Sequence, residues 1–216
     1  MLLSTVLLTL ISASALAAAP SSRTLDRPRV VAFGDSLTSG RGIGTAQAFP
    51  AILQQRIERD GFDYRVVNAG VSGDTSSRAI HRLDAALDGD VRVLILALGA
   101  NDGLRGTPVA QLKANLGAMI EKAQQRGITV LLCGMEALPI YGWDYSVAFH
   151  NAYRELAKQY GVTLVPFILM NVIGNPDLMQ PDHAHPNAAG ARAIADNVWP
   201  YLEAVLQKDA SPSPAR

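Results

Sequence analysis

The chain has 216 residues, of which 49% are hydrophobic and 18% are charged. This length allows one domain with a substantial hydrophobic core and is too short for two domains that each bury a core of that size. We therefore expect a single domain over residues 29–207. Nineteen basic residues balance nineteen acidic ones, and no basic run with interleaved aromatic residues occurs, which argues against nucleic-acid binding. We therefore expect a monomer whose ligand is small and weakly charged.

The first residues of the chain predict a signal peptide. Residues 1–19 are almost all apolar or small, and they end in small-x-small triplets that suit a cleavage site. No lysine or arginine precedes Arg23, so an uncleaved anchor of marginal spanning length is the alternative. Cleavage would leave no stable membrane span and would place the protein in the periplasm or outside the cell.

The rest of the chain alternates short β-rich runs with longer helical patterns, which is typical of βαβ units that feed a parallel sheet. We therefore predict the α/β class, with a five-stranded parallel sheet covered on both faces. The predicted strands are residues 29–33, 64–68, 91–98, 128–133 and 162–166, and the predicted helices are residues 48–59, 76–87, 108–125, 145–160 and 186–206. Residues 208–216 contain Ser-Pro-Ser-Pro and are predicted to be disordered. The single cysteine, Cys133, falls within a strand and is interpreted as a small buried hydrophobe.

A serine stands where the first predicted strand stops, in Gly34-Asp35-Ser36-Leu37-Thr38. In an open parallel sheet, the carboxyl ends of the strands are where ligands bind and where loops carry chemistry. Ser36 is therefore a candidate nucleophile, and it needs an adjacent base because a serine oxygen is weak at its own pKa. Glycine, aspartate and serine are also ordinary turn residues, so a plain turn is the alternative.

Histidine is the usual base near neutral pH, and the chain has four. His81 and His150 lie in helical patterns, where a histidine is more often a surface residue or a hydrogen-bonded core residue than a catalytic base. His183 and His185 lie in the last loop, where residues three apart in a tight turn point the same way. This spacing pairs Asp182 with His185, so that the carboxylate accepts a hydrogen bond from Nδ1–H and Nε2 faces the serine, while His183 is assigned no role. A helix-capping turn is the alternative interpretation of the same segment.

Two further segments that follow predicted strands offer hydrogen-bond donors for an oxyanion. Gly73 has no Cβ to block its backbone N–H, and Asn101 carries a side-chain amide. The backbone N–H of Ser36 is a third candidate donor. Each segment alone is also a good turn sequence, but four such segments at four successive strand ends are hard to explain as turns alone.

With these residues in place, the chain resembles the GDSL, or SGNH, hydrolase family, which is defined by a Ser, Gly, Asn and His in four separate blocks. Ser36 matches the first block, Gly73 the second, Asn101 the third, and Asp182 with His185 the last. All four blocks occur in the family's order, and the match extends over essentially the whole predicted domain.

Within that family, residues 72–76, 101–106 and 138–142 are most similar to the periplasmic multifunctional thioesterase/lysophospholipase and arylesterase branch. The resemblance implies a flavodoxin-like three-layer α/β/α fold, a wide substrate range, and neither a metal nor a cofactor. It also implies that residues 103–106 and 137–145 line the acyl site. The candidate substrate-binding residues in these loops are Leu104, Leu138, Pro139, Ile140 and Tyr141, with Trp143 beside them.

The leading hypothesis is a serine esterase that hydrolyses carboxylic esters, and acyl thioesters or lysophospholipids, through an acyl-enzyme. Such an enzyme should lose activity in acid because the histidine base becomes protonated. For an unperturbed histidine the loss should occur at roughly pH 6.5. A carbohydrate acetyl esterase and a non-catalytic module that binds glycans or lipids are the alternatives. Two other functions are disfavoured. The glycines of residues 40–44 do not have the spacing of a dinucleotide-binding loop, and a metal site built from Asp182, His183 and His185 has no further cluster of ligands to complete it.

Overall fold

The computed structural model describes residues 27–210. The predicted signal peptide, residues 1–19, lies outside the described residues, as do residues 211–216 of the predicted tail. The described part forms a five-stranded, all-parallel sheet in the order β2-β1-β3-β4-β5, which confirms the predicted class and strand count. The strands are β1 (Arg29–Gly34), β2 (Arg65–Gly70), β3 (Val91–Ala97), β4 (Thr129–Cys133) and β5 (Thr163–Val165).

The central strands are buried because their sequences are apolar on both sides of the pleat. From Val93 to Leu98 every residue is essentially inaccessible to solvent. Cys133, at the end of β4, is fully buried as predicted, and burial raises the pKa of its thiol to about 12. The thiol is therefore protonated and unreactive at neutral pH.

Helices cover the sheet in two layers. One layer contains α2 and α8, which pack against each other and against the sheet, and the other contains α6 and α7. Within the described residues, no helix is long and apolar enough to cross a membrane. The helices are α1 (Ser36–Ser39), α2 (Phe49–Arg59), α3 (Ser76–Ala79), α4 (Leu83–Ala86), α5 (Ala100–Arg105), α6 (Val109–Gln125), α7 (Trp143–Tyr160) and α8 (Ala188–Ala210).

Three helical predictions differ from the structure. The helix predicted over residues 76–87 is interrupted by a 3-10 turn at Ile80–Arg82, because the Arg82 side chain bonds to strand ends instead of facing solvent. The segment after β3, for which no helix was predicted and a turn was the alternative interpretation, forms α5. The last helix continues to Ala210, so residues 208–210 are not part of a disordered tail; Tyr64 donates a hydrogen bond to Asp209 in this last turn.

The carboxyl ends of three neighbouring strands lie level. Gly34 of β1 is in register with Gly70 of β2 on one side and with Ala97 of β3 on the other. From β1 the chain passes first to β2 on one side and then to β3 on the other side of β1. The connections that follow β1 and β3 therefore run to opposite faces of the sheet and leave a crevice between them. The fold thus predicts a ligand site at this edge, between β1 and β3.

Gly34 is required by close packing. A Cβ at this position would lie 2.0 Å from Thr38 Oγ1 and 2.6 Å from the carbonyl oxygen of Ala97, which belongs to the rigid central strand. We expect Gly34→Ala to lower the free energy of unfolding by about 3 kcal/mol, as overpacked cores do, measured by urea denaturation. Gly117→Ala is the control, because its Cβ would meet only the tip of Tyr160. Equal stability of the two variants would contradict this account.

Candidate active site

A cleft of about 440 Å³ opens at the carboxyl edge of the sheet, a volume that suits a small-molecule ligand. It brings together Ser36, Gly73, Asn101 and His185, which come from four segments distant in sequence. A larger and more open depression of about 610 Å³, between α6 and α7, contains no pairing of a nucleophile with a base. The cleft is therefore the candidate active site.

Ser36 is the first residue of α1, immediately beyond β1. The helix begins here because the side chain of Asp35 accepts a hydrogen bond from Leu37 N at 3.0 Å, as an N-cap does. The helix ends after one turn at Gly40, which has a φ of 75°. This short, capped turn holds the serine hydroxyl at the strand end and directs it into the cleft.

The predicted base and its carboxylate lie on one turn of the last loop. His185 Nε2 lies 3.2 Å from Ser36 Oγ, and His185 Nδ1 lies 2.7 Å from Asp182 Oδ2. Asp182 Oδ1 accepts two backbone N–H groups, from Ala184 and His185, both at 3.0 Å. These hydrogen bonds, with that from the imidazole, hold the pKa of Asp182 well below its ordinary value. The carboxylate is therefore ionised at neutral pH.

Gln180 ties the loop of the base to the loop of the serine. Its Nε2 donates to the carbonyl oxygen of Arg41 at 2.7 Å and to that of Pro186 at 2.9 Å. Its backbone N–H donates to the carbonyl oxygen of His185 at 2.7 Å. A Cβ on Gly42 would collide with this amide at 2.2 Å. The close approach of the two loops thus fixes the separation of the serine and the imidazole.

The residues of the predicted oxyanion donors, Ser36, Gly73 and Asn101, all line the cleft. Within residues 27–210, neither the N–H of Ser36 nor that of Gly73 has a protein acceptor, so both remain available to a ligand. Asn101 Nδ2 donates to the carbonyl oxygen of Asp74 at 2.9 Å and to Asp35 Oδ2 at the longer distance of 3.2 Å. An anion in the cleft would compete with Asp35 for the second amide proton.

Arg82 joins the strand ends to the loop that follows β2. Its Nη2 donates to the carbonyl oxygen of Gly34 at 2.8 Å, its Nη1 to that of Ala69 at 2.7 Å, and its Nε to Asp74 Oδ2 at 2.7 Å. The guanidinium also stacks 4.0 Å above the ring of Phe33. Sequence reasoning missed this residue, since its partners lie 8 to 48 positions away in the chain and leave no periodic pattern.

Asp35 is a second residue that sequence reasoning left without a role. It is fully buried between β1 and Asn101, and burial raises its pKa to about 6 from an ordinary value of 3.8. Hydrogen bonds from Leu37 and Asn101 favour the ionised form and only partly offset this effect. Its place directly before the candidate nucleophile was the one available signal.

The raised pKa of Asp35 predicts a pH-dependent stability. Between about pH 4 and pH 6 the folded protein holds a proton that the unfolded chain releases, so stability decreases as the pH rises, by about 3 kcal/mol in total. We expect Asp35→Asn, which keeps the capping oxygen, to abolish this decrease in urea denaturation from pH 4 to pH 7. Asp60→Asn is the control, because the pKa of Asp60 is lowered by Arg59 and its contribution is lost only in stronger acid. Parallel curves for wild type and Asp35→Asn would contradict the prediction.

The predicted acyl-binding residues separate into two groups. Leu104 and Leu138 line the cleft. Pro139, Ile140 and Tyr141 form a 3-10 turn beside the cleft and are not part of its wall. Tyr141 packs outward against α5, donating to the carbonyl oxygen of Leu104 at 3.1 Å.

The cleft wall also contains residues that the sequence did not single out. The segment after β5 contributes Phe167, Leu169 and Ile173, and the last loop contributes His183, which was assigned no role. Glu136 also lines the cleft, and its carboxylate is hydrogen-bonded to His150 Nδ1 at 2.6 Å. The length of the irregular stretch after β5 was the signal that this segment reaches the site. Among the described residues, no group of three or more His, Cys, Asp or Glu side chains could hold a metal ion.

The model of the GDSL-like lipase/acylhydrolase family matches residues 32–193 of this sequence. The chain therefore belongs to the GDSL-like lipase/acylhydrolase family of ester hydrolases.

Individual relatives agree with this assignment. The chain is 44% identical over 174 residues to esterase TesA of Pseudomonas aeruginosa, an alignment that covers 80% of this chain and 87% of that protein. It is 34% identical over 177 residues to thioesterase 1/protease 1/lysophospholipase L1 of Escherichia coli K12, an alignment that covers 82% of this chain and 84% of that protein. A crystal structure of TesA matches with a TM-score of 0.79 and 42% identity, covering 82% of this chain and 99% of that one. The predicted family and three-layer fold are thus confirmed.

Proposed function

We propose that this protein hydrolyses carboxylic esters, including acyl thioesters or lysophospholipids, through an acyl-enzyme on Ser36. The observation that carries the proposal is the continuous chain of hydrogen bonds from Ser36 Oγ through His185 to Asp182, at 3.2 and 2.7 Å. A serine next to a base that is itself oriented by a carboxylate is the arrangement that activates a hydroxyl for attack.

In the first half of the reaction, Ser36 Oγ forms a bond to the carbonyl carbon and its proton passes to His185 Nε2. Asp182 keeps the Nδ1 proton in place, which presents the unprotonated Nε2 to the hydroxyl and stabilises the imidazolium that forms. The carbonyl oxygen becomes an oxyanion, which accepts hydrogen bonds from the free N–H groups of Ser36 and Gly73. Asn101 supplies a third donor by giving up its longer bond to Asp35.

In the second half, the tetrahedral intermediate collapses and the bond to the leaving alcohol or thiol breaks, with the imidazolium returning its proton to the leaving group. Water then attacks the acyl-serine with His185 again acting as the base, and the carboxylic acid departs from a regenerated serine. Every proton that is moved starts and ends on a named group, so the cycle needs no cofactor.

The shape of the cleft supports a substrate with an acyl chain longer than acetyl. Its wall beyond the serine is apolar, formed by Leu104, Leu138, Phe167, Leu169 and Ile173, and burying each methylene of a chain there stabilises the complex by about 0.8 kcal/mol. An acetyl ester would leave most of this surface unused. The signal peptide predicted over residues 1–19 supports action in the periplasm or outside the cell.

The proposal is tested with esters and with a covalent probe. Diethyl p-nitrophenyl phosphate should modify one serine, which peptide mass mapping should identify as Ser36, and activity should fall in step with labelling. Rates on p-nitrophenyl esters from acetate to palmitate, on palmitoyl-coenzyme A and on lysophosphatidylcholine then define the substrate. Labelling at another serine, or activity that survives full labelling, would refute the mechanism. A clear preference for acetate would favour the carbohydrate acetyl esterase instead.

A further inference from the structure

Exposed apolar side chains are concentrated beside one strand end of the fold. Five large apolar residues that follow β4 are exposed: Leu138, Ile140, Tyr141, Trp143 and Val147. Trp143 is 75% exposed and Ile140 is 63% exposed, although both are large enough to stabilise a core if they were buried. Exposed apolar residues are usual when scattered, but a contiguous group marks a surface that something covers.

The remaining large apolar side chains that are exposed within residues 27–210 lie at the same edge of the sheet. Val71 follows β2, Leu104 follows β3, and Met170 and Ile173 follow β5. Helices α2, α6 and α8, which form most of the two outer layers, contribute none. We call these nine residues the apolar rim.

The apolar rim is continuous with the candidate active site. Leu104, Leu138 and Ile173 belong to both, since each lines the cleft and is also exposed beside its mouth. The exposed charges at this edge are of both signs, since Arg41 and Glu136 line the cleft while Arg105 follows Leu104 and Asp144 follows Trp143. A partner that covered the rim would therefore meet the entrance through which any substrate must pass.

We infer that the apolar rim docks onto a lipid surface, from which the cleft takes its substrate; this inference rests on the proposed ester-hydrolase function. A second copy of the chain or a protein ligand seated on the rim would close the cleft. A lipid surface covers the same side chains, supplies the acyl chain at the mouth and leaves the site in use. Tryptophan and tyrosine suit the boundary between water and acyl chains, because their rings are apolar with one polar atom.

Binding is measured first, without turnover, on the Ser36→Ala protein with vesicles of phosphatidylcholine and a minor fraction of phosphatidylglycerol. The chain has two tryptophans, and Trp199 is only 8% exposed and packs against Phe62. Vesicles should therefore shift the emission of Trp143 alone to shorter wavelength, and the shift should vanish when Trp143→Phe is added. Emission that vesicles leave unchanged would overturn the inference.

Activity is measured next on two double variants that add the same charge. Trp143→Glu with Met170→Glu alters the rim on both sides of the cleft without touching its wall, whereas Gln55→Glu with Gln159→Glu alters exposed positions on α2 and at the end of α7. The rim variant should hydrolyse lysophosphatidylcholine in vesicles at least about tenfold more slowly than the control, because both side chains lose their contact with lipid. Both variants should hydrolyse dissolved p-nitrophenyl acetate at the wild-type rate.

Equal rates of the two double variants on vesicles would overturn the inference. So would a wild-type dimer in sedimentation that the rim variant dissociates, because the second copy would then be the occupant. Failure of the wild type to hydrolyse dissolved p-nitrophenyl acetate would instead refute the proposed function, and the fluorescence shift would still decide whether the rim binds lipid.

Discussion

Ser36→Ala is expected to reduce kcat on p-nitrophenyl butyrate by about five orders of magnitude, with little change in KM. The loss should be large because, in the proposed mechanism, the hydroxyl oxygen is the attacking atom and the imidazole has no other group to activate. The proposed oxyanion donors and the cleft would retain part of the catalysis. Steady-state rates of purified protein, with folding checked by circular dichroism, provide the measurement.

Ser39→Ala is the matched control for this variant. Ser39 ends the same short helix and its hydroxyl bonds to Ser72 Oγ at 3.0 Å, away from the imidazole. Its replacement should leave kcat within about threefold of wild type, as expected of a surface hydrogen bond. A Ser36→Ala protein that retained a hundredth of the activity would remove this serine as the nucleophile.

Asp182→Asn is expected to reduce kcat at neutral pH by about three to four orders of magnitude, close to the effect of the same change in a serine protease triad. The two backbone N–H groups of Ala184 and His185 hold the oxygen of the new amide where Oδ1 now lies. The amide NH₂ then faces His185 Nδ1, which forces the proton onto Nε2. In that tautomer the imidazole cannot accept the proton of Ser36.

The control is Asp177→Asn, an identical change in the same loop at an exposed residue with no histidine partner. It should leave the whole pH profile of kcat unchanged. If Asp182→Asn behaved in the same way, the carboxylate would not be orienting the base, and water would have to hold the Nδ1 proton instead.

The centre of the sheet could be predicted from sequence because β1, β3 and β4 are nearly continuous apolar runs. In β3, the apolar side chains from Val93 to Ala97 point alternately to both faces of the sheet and are all buried, which requires helices on both faces. Helix α6 was predicted within one residue because its apolar residues follow the helical period over 17 residues. The site segments could be predicted as a group, because parallel strands must deliver their following loops to one edge.

The supporting contacts could not be predicted, because they join residues that are far apart in the chain. Arg82 bonds to Gly34 across 48 positions, and Gln180 bonds to Arg41 across 139 positions. Such contacts leave no periodic pattern, and Arg82 even reads as a solvent-facing helical residue. The roles proposed for Ser36 and His185 remain predictions that the variants above test.

His185 and Asp182 are neighbours on one hydrogen-bonded turn, whereas Ser36 reaches them from the end of the first strand. The separation of Ser36 Oγ from His185 Nε2 therefore depends on the contact that Gln180 makes between the two loops, whereas the imidazole and the carboxylate stay together on one turn. A substitution that loosens this contact between the two loops should therefore slow turnover without separating the imidazole from its carboxylate.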